Sequence, residues 1–106
     1  MIDEIASRTV ALIGEEAYER LKRSFVVVAG LGGVGGYVSE ALARAGTGRL
    51  LLVDSDRIAP SNLNRQILAR SDNIGVLKTE AAKQRIESIA PVSYTHLRAH
   101  ETRRHL

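Results

Sequence analysis

The sequence contains no cysteine and no long apolar run. Without cysteine, neither a disulfide framework nor a thiolate metal site can form within these 106 residues. No segment approaches the roughly 18 to 20 consecutive apolar residues of a membrane-spanning helix, and the first residues do not read as a signal peptide. We therefore expect a cytoplasmic protein of one small domain, with no membrane partner.

The sequence has only a small excess of positive charge, and most of it lies in the last fifteen residues. Val92–Leu106 holds all three histidines, three arginines and one glutamate; without it, twelve basic residues face eleven acidic ones. The net charge of +3 is therefore weak support for a nucleic-acid partner. Val92–Thr102 also matches, over eleven consecutive residues, the translation of a transposon-based sequencing adapter. We predict that residues 92–106 are a non-native tail, and that the three histidines are not metal ligands.

The order of the apolar segments indicates the fold class. Phe25–Ala29 and Leu50–Val53 are short apolar runs typical of strands that are covered on both faces. Between them, Val34–Ala45 has apolar residues at helical spacing. Strand, helix and strand in this order predict a right-handed unit with parallel strands. The fold class is therefore α/β, a Rossmann-like parallel sheet with helices on both faces, truncated after the second strand and its following helix.

Finer features of the helices also follow from the residue spacing. In the helix after the first strand, Glu40 and Arg44 are predicted to face outward. The apolar side of that helix is predicted to consist of Val34, Val38, Ala41, Leu42 and Ala45. Three further helices are predicted over Glu15–Arg23, Gln66–Arg70 and Lys78–Ile89.

The segment Gly30–Gly35, with the sequence GLGGVG, follows the first strand directly and opens a helix. In that setting Gly30 permits a tight turn, Gly32 and Gly33 let phosphates approach the backbone, and Gly35 lets helix and strand pack closely. The helix N-terminus presents unpaired N–H groups to a phosphate. Asp54 ends the second strand, where a carboxylate can accept hydrogen bonds from ribose hydroxyls. Together these features predict a nucleotide site, and an NAD-dependent dehydrogenase would satisfy all of them.

The segment Ser61–Gln66, with the sequence SNLNRQ, adds cations and hydrogen-bond donors beside that site. Phosphoryl or nucleotidyl transfer needs such groups where a leaving pyrophosphate gains charge, whereas hydride transfer does not. Arg65 offers a planar fork for phosphate and Lys78 a point charge, while Asp56 is placed to hold a loop cation or assist Mg²⁺ indirectly. The candidate neutral donors are Ser61, Asn62, Asn64 and Gln66. The same residues have structural explanations as surface charges and turn formers, and both readings remain open from the residues alone.

The succession GLGGVG, DSD, NLNRQ and a later lysine resembles the ubiquitin-activating-enzyme superfamily, in its ThiF/MoeB/HesA branch. The segments SRTVALIGEEAYERLKRS and EALARAGTGRLLLVDSD are most similar to the tRNA threonylcarbamoyladenosine dehydratases, named TcdA. The resemblance implies that residues 1–91 are the N-terminal part of a ThiF-type ATP-binding domain. It also implies an adenylating enzyme that uses ATP and Mg²⁺, with tRNA as substrate.

Specific roles follow from the resemblance for individual residues. Arg8 matches an arginine that family dimers insert into the neighbouring ATP site, which implies a homodimer. Arg65 and Lys78 would stabilise charge on the triphosphate, Gly33 would lie at the phosphates and Asp54 on the ribose. Position 77 departs from the family pattern, with leucine where relatives often have proline.

The Mg²⁺-binding aspartate of the family lies on a later strand, so no metal ligand is predicted within this chain. We accordingly expect the 106-residue chain to be marginally stable and catalytically inactive by itself. The alternatives are a sulfur-carrier-protein adenylyltransferase of thiamine or molybdopterin synthesis, an NAD-dependent oxidoreductase, and a non-catalytic nucleotide-binding or dimerisation module.

Overall fold

The computed structural model describes Glu4, residues 6–90 and residues 94–99, the last six by their backbone. In chain order the elements are α1 (Ser7–Ile13), α2 (Glu15–Lys22), β1 (Phe25–Ala29), α3 (Gly33–Ala45), β2 (Arg49–Asp54), a 3-10 helix (Pro60–Asn64), α4 (Lys78–Ile89) and β3 (Tyr94–Ala99). The sheet has the order β1-β2-β3 and both pairings are parallel. The predicted α/β class and the parallel strand–helix–strand unit are therefore confirmed. The predictions from residue spacing did not include α1.

The hydrophobic core lies between one face of the sheet and the helices α3 and α4. Leu50 and Leu52 of β2 and Ile86 of α4 are almost fully enclosed. Burial alternates along β1, where Val28 is buried while Phe25 and Val27 are 50% and 54% exposed. The prediction that β1 is covered on both faces is therefore wrong for the described chain, because α3 and α4 join the same core as Val28, on one side of the sheet. In the described part of the chain, no helix is both long and apolar enough to cross a membrane.

Helix α3 turns a different side toward the core than its spacing predicts. Its buried residues are the small ones Gly36, Ser39 and Ala43, whereas Val34 is 76% and Val38 41% exposed. The reason is close packing at Gly36, where an added Cβ would lie 3.2 Å from Ile67 Cγ2 and 3.3 Å from the Cγ of Leu68. The small residues of α3 allow this close contact with the loop, so they, and not the predicted apolar side of the helix, determine which side of α3 faces the core.

Glu40 is the second difference in α3, because it was predicted to face outward. Its side chain is only 14% exposed and accepts hydrogen bonds from Arg44 Nε at 2.9 Å and from Arg85 Nε of α4 at 2.5 Å. The hydrogen bond from Arg85 lowers the pKa of the Glu40 carboxyl; burial opposes this effect and Arg44 adds to it. Glu40 therefore joins α3 to α4 by an ion pair that sequence spacing within α3 does not reveal.

The loop after β2 contains a short helix at a different place than predicted. Residues 66–70 contain no helix and only a turn at Ile67 and Leu68, whereas Pro60–Asn64 is a 3-10 helix with proline at its start. Proline suits that position because its missing N–H would have no partner there. After the helix, the Asn73 side chain accepts from the Arg70 N–H and donates to the Leu68 carbonyl, both at 2.8 Å. These bonds favour turns over a helix in that segment.

One strand lies beyond the predicted end of the fold. Tyr94–Ala99 falls within the predicted non-native tail, yet it pairs in parallel with β2 from Arg49 to Asp54. An open sheet edge presents unpaired backbone N–H and C=O groups, which can pair with an extended segment whatever its side chains are. The rest of that tail lies outside the described residues, so its predicted origin stays a prediction.

Candidate nucleotide-binding site

The glycine-rich segment forms a tight turn between β1 and α3. Gly30 has φ +94°, in the left-handed region that favours glycine, and its N–H donates to the Val53 carbonyl at 2.8 Å. At Gly35 an added Cβ would lie 1.7 Å from the Gly30 carbonyl oxygen, a distance no packing tolerates. The predicted tight turn at Gly30 and close packing at Gly35 are therefore confirmed by the geometry.

The N-terminus of α3 begins in open space. Gly32 is its N-cap and no side chain caps the helix, so the first N–H groups depend on water or a ligand. An added Cβ at Gly33 would meet no atom within 4 Å. An uncapped helix N-terminus beside free space is suited to an anion, since the backbone N–H groups and the helix dipole both favour negative charge there.

Asp54 is bonded directly to the glycine turn. Its Oδ2 accepts from the Leu31 N–H and its Oδ1 from the Asp56 N–H, both at 2.7 Å. Each carboxylate oxygen has a further lone pair, so the side chain still has acceptor capacity for a hydroxyl. The predicted ribose acid thus lies at the glycine turn, at the carboxyl end of β2. Sequence reasoning did not identify Leu31, because it contributes a backbone group that every residue type has.

The loop carrying SNLNRQ reaches the same turn. Gln66 Nε2 lies 4.0 Å from the position of an added Cβ at Gly32. Asn62 has a structural part in this loop: it is 8% exposed, and its Oδ1 accepts from the Ala59 N–H at 2.8 Å. The Asn62 carbonyl also accepts from the N–H groups of Arg65 and Gln66. The Asn62 side chain therefore holds the loop in place, and a bound nucleotide is not needed to explain its position.

Arg65 is exposed, and its own loop holds one of its nitrogens. Nη1 donates to the Ser61 carbonyl and to Asn64 Oδ1, each at 3.0 Å. Ser61 and Asn64 are exposed as well. Among the described residues, Nε and Nη2 of Arg65 form no hydrogen bond, and the contacts of Nη1 orient the plane of the guanidinium group.

Lys78 is brought to this edge of the sheet by a short antiparallel contact. Arg57 pairs with Leu77, and the Lys78 N–H donates to the Asp56 carbonyl at 3.0 Å. Lys78 is 7% exposed, and within the described residues no carboxylate forms an ion pair with it. Lys78 is thus largely buried while its ammonium lacks a countercharge among these residues, an arrangement that suits a position that receives an anionic ligand.

Arg8 is the predicted site residue that the structure does not place beside the others. It lies in α1, which packs on α2, and it is exposed. The glycine turn and Asp54 lie at the carboxyl ends of β1 and β2, and Gln66 brings the SNLNRQ loop to that turn. Among the described residues, no group of three or more histidine, aspartate or glutamate side chains could hold a metal ion. The Mg²⁺ ligand of the family is predicted to lie outside this chain.

Comparison with known proteins identifies relatives of this chain. The family model described as the ThiF family matches residues 6–103. The tRNA threonylcarbamoyladenosine dehydratase of Bacillus subtilis is 48% identical over 85 residues, which are 80% of this chain and 34% of that protein. The sulfur carrier protein adenylyltransferase of Thermus thermophilus is 42% identical over 80 residues, or 76% of this chain and 30% of that protein.

The solved structures include close matches to the fold. The crystal structure of E. coli tRNA N6-threonylcarbamoyladenosine dehydratase, TcdA, in complex with ATP superposes with a TM-score of 0.87 at 36% identity, covering 92% of this chain and 42% of that one. The chain spans about a third of the length of the curated relatives it matches.

Proposed function

Because the chain belongs to the ThiF family, we propose that it is the nucleotide-binding part of an ATP-dependent adenylating enzyme. The main support for the proposal is that an acid and a cationic residue lie at the same edge of the sheet. Asp54 is bonded to the glycine turn, and the backbone N–H of the largely buried Lys78 donates to the Asp56 carbonyl. A dinucleotide oxidoreductase needs the first of these features, whereas only a reaction that builds up negative charge on a leaving pyrophosphate requires a cation for its chemical step.

In the proposed reaction a substrate carboxylate oxygen attacks the α-phosphorus of ATP. The bond between that phosphorus and the oxygen bridging to the β-phosphate breaks, which gives an acyl-adenylate and pyrophosphate. Asp54 accepts from the ribose hydroxyls, and the phosphates lie over Gly33 at the N-terminus of α3. Arg65 and Lys78 stabilise the negative charge that develops on the leaving pyrophosphate. Gln66, Ser61 and Asn64 complete the donor set.

Two parts of the proposed centre come from outside this chain's own cluster. A later aspartate of the intact protein would hold Mg²⁺, which would supply neutralisation of phosphate charge, and Asp56 would assist its binding indirectly. Arg8, which is exposed on α1, would reach the ATP site of a second copy. Both assignments rest on the family resemblance.

For the substrate we propose the threonylcarbamoyl carboxylate of a modified adenosine in tRNA. Once that carboxylate is adenylated, a nitrogen of the same threonylcarbamoyl group attacks the acyl carbon, AMP leaves and a ring closes, which is a net dehydration. The similarity to a tRNA threonylcarbamoyladenosine dehydratase at 48% identity supports this choice. The 42% identity with a sulfur carrier protein adenylyltransferase supports the alternative substrate, the C-terminal carboxylate of a small sulfur-carrier protein.

The proposal is tested by nucleotide binding to the 106-residue chain. We expect isothermal titration calorimetry to detect ATP binding that weakens about tenfold or more in Arg65→Ala, since one or two charge-assisted hydrogen bonds are lost. Arg20→Ala is the matched control, because Arg20 is an exposed arginine of α2 paired with Glu16. Binding of NAD that exceeds binding of ATP and ignores Arg65→Ala would indicate the oxidoreductase instead.

A second experiment separates an enzyme from a non-catalytic module. The isolated chain is expected to give no ATP–pyrophosphate exchange, whereas the intact protein is expected to catalyse it with modified tRNA present. If exchange in the intact protein instead requires a sulfur-carrier protein, the alternative substrate is correct. ATP binding and dimer formation without exchange under either condition would favour a non-catalytic module.

A further inference from the structure

A polar pocket of about 120 Å³ lies between the loop after Gln66 and the outer side of α4. The loop contributes Leu68, Arg70 and Asn73, and α4 contributes Ala81, Gln84, Arg85 and Ser88. No site residue considered above lines this pocket. Its polar side chains are uncharged or cationic, and the carboxylates of Glu40 and Asp72, which pair with its two arginines, do not line it. The guanidinium nitrogens that these carboxylates leave unused give the pocket chemistry suited to an anionic group.

Arg70 and Arg85 each form an ion pair through Nε, which leaves the terminal guanidinium nitrogens as possible donors. Arg85 contacts Glu40 through Nε at 2.5 Å, and Arg70 contacts Asp72 through Nε at 3.1 Å. In the described part of the chain, the terminal nitrogens of these two arginines form no hydrogen bond. Each guanidinium is therefore anchored at its inner nitrogen and keeps two outer nitrogens, which is the fork that binds phosphate oxygens in pairs.

The base of the pocket is rigid. Asn73 is 5% exposed, and both ends of its side-chain amide are used to close the turn that carries Arg70. Ser88 Oγ donates to the Arg85 carbonyl at 2.7 Å. The two forks are thus held on a formed loop and a formed helix, which reduces the ordering cost of binding an anion.

The position of the pocket relates it to the nucleotide site. Arg70 follows Gln66 along the same loop, and Arg85 lies seven residues after Lys78 on α4, which at ~1.5 Å per residue is roughly 10 Å. A chain of phosphates that approaches the adenylation site along α4 would pass the pocket. Leu68 also packs on Gly36 of α3, so the loop has one fixed position between the two sites.

We infer that this pocket, the Arg70–Arg85 pocket, binds a backbone phosphate of an RNA substrate. The inference rests on the proposed function, because it takes the carboxylate to be adenylated as attached to RNA. Phosphate is favoured over a peptide carboxylate because two forks face one small cavity, and a phosphate offers each fork oxygens of its own. The contact fixes the register of the RNA without reading its sequence.

The experiment measures binding of fluorescently labelled tRNA to the 106-residue chain by anisotropy across a salt series. Arg70→Gln is the test variant, because the Arg70 side chain is 57% exposed and its loss should leave the fold intact. We expect affinity for tRNA to fall about three- to tenfold, and the slope of log affinity against log salt to fall by about 0.7–0.9, the value for one phosphate contact. Arg20→Gln, which removes an equal charge from α2, should leave both quantities nearly unchanged.

A second variant guards against a purely structural effect. Arg85→Lys keeps a positive charge beside Glu40 but removes the fork, so we expect weaker tRNA binding with an unchanged thermal midpoint. Arg70→Gln and Arg20→Gln variants with equal tRNA affinity and equal salt slope would overturn the inference. Competition by poly-glutamate at equal charge concentration that matches competition by unlabelled RNA would also overturn it, in favour of an acidic protein partner.

ATP titration of the same variants separates this inference from the proposed function. Unchanged ATP affinity in Arg70→Gln, together with weakened tRNA binding, is the expected result. If the parent chain bound tRNA through Arg70 but did not bind ATP, the proposed adenylation would fail and the phosphate pocket would stand.

Discussion

Asp54 Oδ2 accepts a hydrogen bond from the Leu31 N–H at 2.7 Å, across a separation of 23 residues. The bond joins the end of β2 to the turn that follows β1, and the Gly30 N–H adds a second link to the Val53 carbonyl. The acid expected to bind ribose and the turn expected to bind phosphate are thus one hydrogen-bonded unit. Replacing the Asp54 carboxylate should therefore lower both the stability of the chain and its affinity for a nucleotide.

Asp54→Asn tests this unit. The asparagine amide has one carbonyl oxygen and no charge, so it can accept only one of the two N–H bonds that the Asp54 carboxylate accepts. We therefore expect the free energy of unfolding to fall by about 1.5–3 kcal/mol. ATP affinity should fall at least about tenfold, since a charge-assisted bond to ribose is also lost. Asp72→Asn is the control, because Asp72 is an exposed carboxylate paired only with Arg70 among the residues described. Urea denaturation and calorimetry measure the two effects, and full ATP affinity in Asp54→Asn would refute the ribose assignment.

Two glycines of the same turn should separate packing from binding. Gly35→Ala places a methyl group 1.7 Å from the Gly30 carbonyl oxygen, and we expect a loss of about 3 kcal/mol in stability, at the upper end for overpacking. Gly33→Ala meets no atom within 4 Å, and its φ lies outside the left-handed region. This variant should unfold at the same or a slightly higher denaturant concentration, but bind ATP more weakly because the methyl group stands where the phosphates approach. Equal ATP affinity in folded Gly33→Ala would contradict that placement.

The Glu40–Arg85 ion pair should make stability depend on pH. Arg85 holds the pKa of the Glu40 carboxyl below its ordinary value of 4.5, so the charged form is favoured by folding. A carboxyl with a lowered folded-state pKa contributes stability above its unfolded pKa, and the contribution is lost as pH falls through the folded value. Glu40→Gln should therefore cost about 1–2 kcal/mol at pH 7, between the values for exposed and buried pairs. The difference from the parent chain should shrink when unfolding is measured at pH 3, and a difference that is constant with pH would exclude the ion pair as its cause.

Thr47 offers a substitution that should stabilise the chain. Its side chain is buried, and Oγ1 has no hydrogen-bond partner within the described residues. Thr47→Val replaces the hydroxyl with a methyl group of similar shape, so we expect a gain of about 1 kcal/mol. Ser39→Ala is the contrast, because the buried Ser39 Oγ donates to the Gly36 carbonyl at 2.9 Å. Thermal unfolding should move up for the first variant and down for the second; a lower midpoint for Thr47→Val would show that its hydroxyl has a partner.

The sequence by itself determined the features that depend on neighbouring residues. The bounds of β1 at Phe25–Ala29 and of α4 at Lys78–Ile89 agree with prediction, because a short apolar run and a clear helical period each act within the segment. The left-handed turn at Gly30 was predictable for the same reason, since only glycine adopts that φ without strain.

Only the tertiary structure decided the features that depend on residues far apart in the chain. The buried Asn62 side chain stabilises its own loop by a hydrogen bond, and Glu40 forms an ion pair with Arg85, 45 residues away in the sequence. Lys78 came to Asp56 through the pairing of Arg57 with Leu77. No local sequence pattern predicts these contacts, because each one depends on how the sheet, the loop and two helices pack together. In another arrangement the same residue types would be surface charges and turn formers.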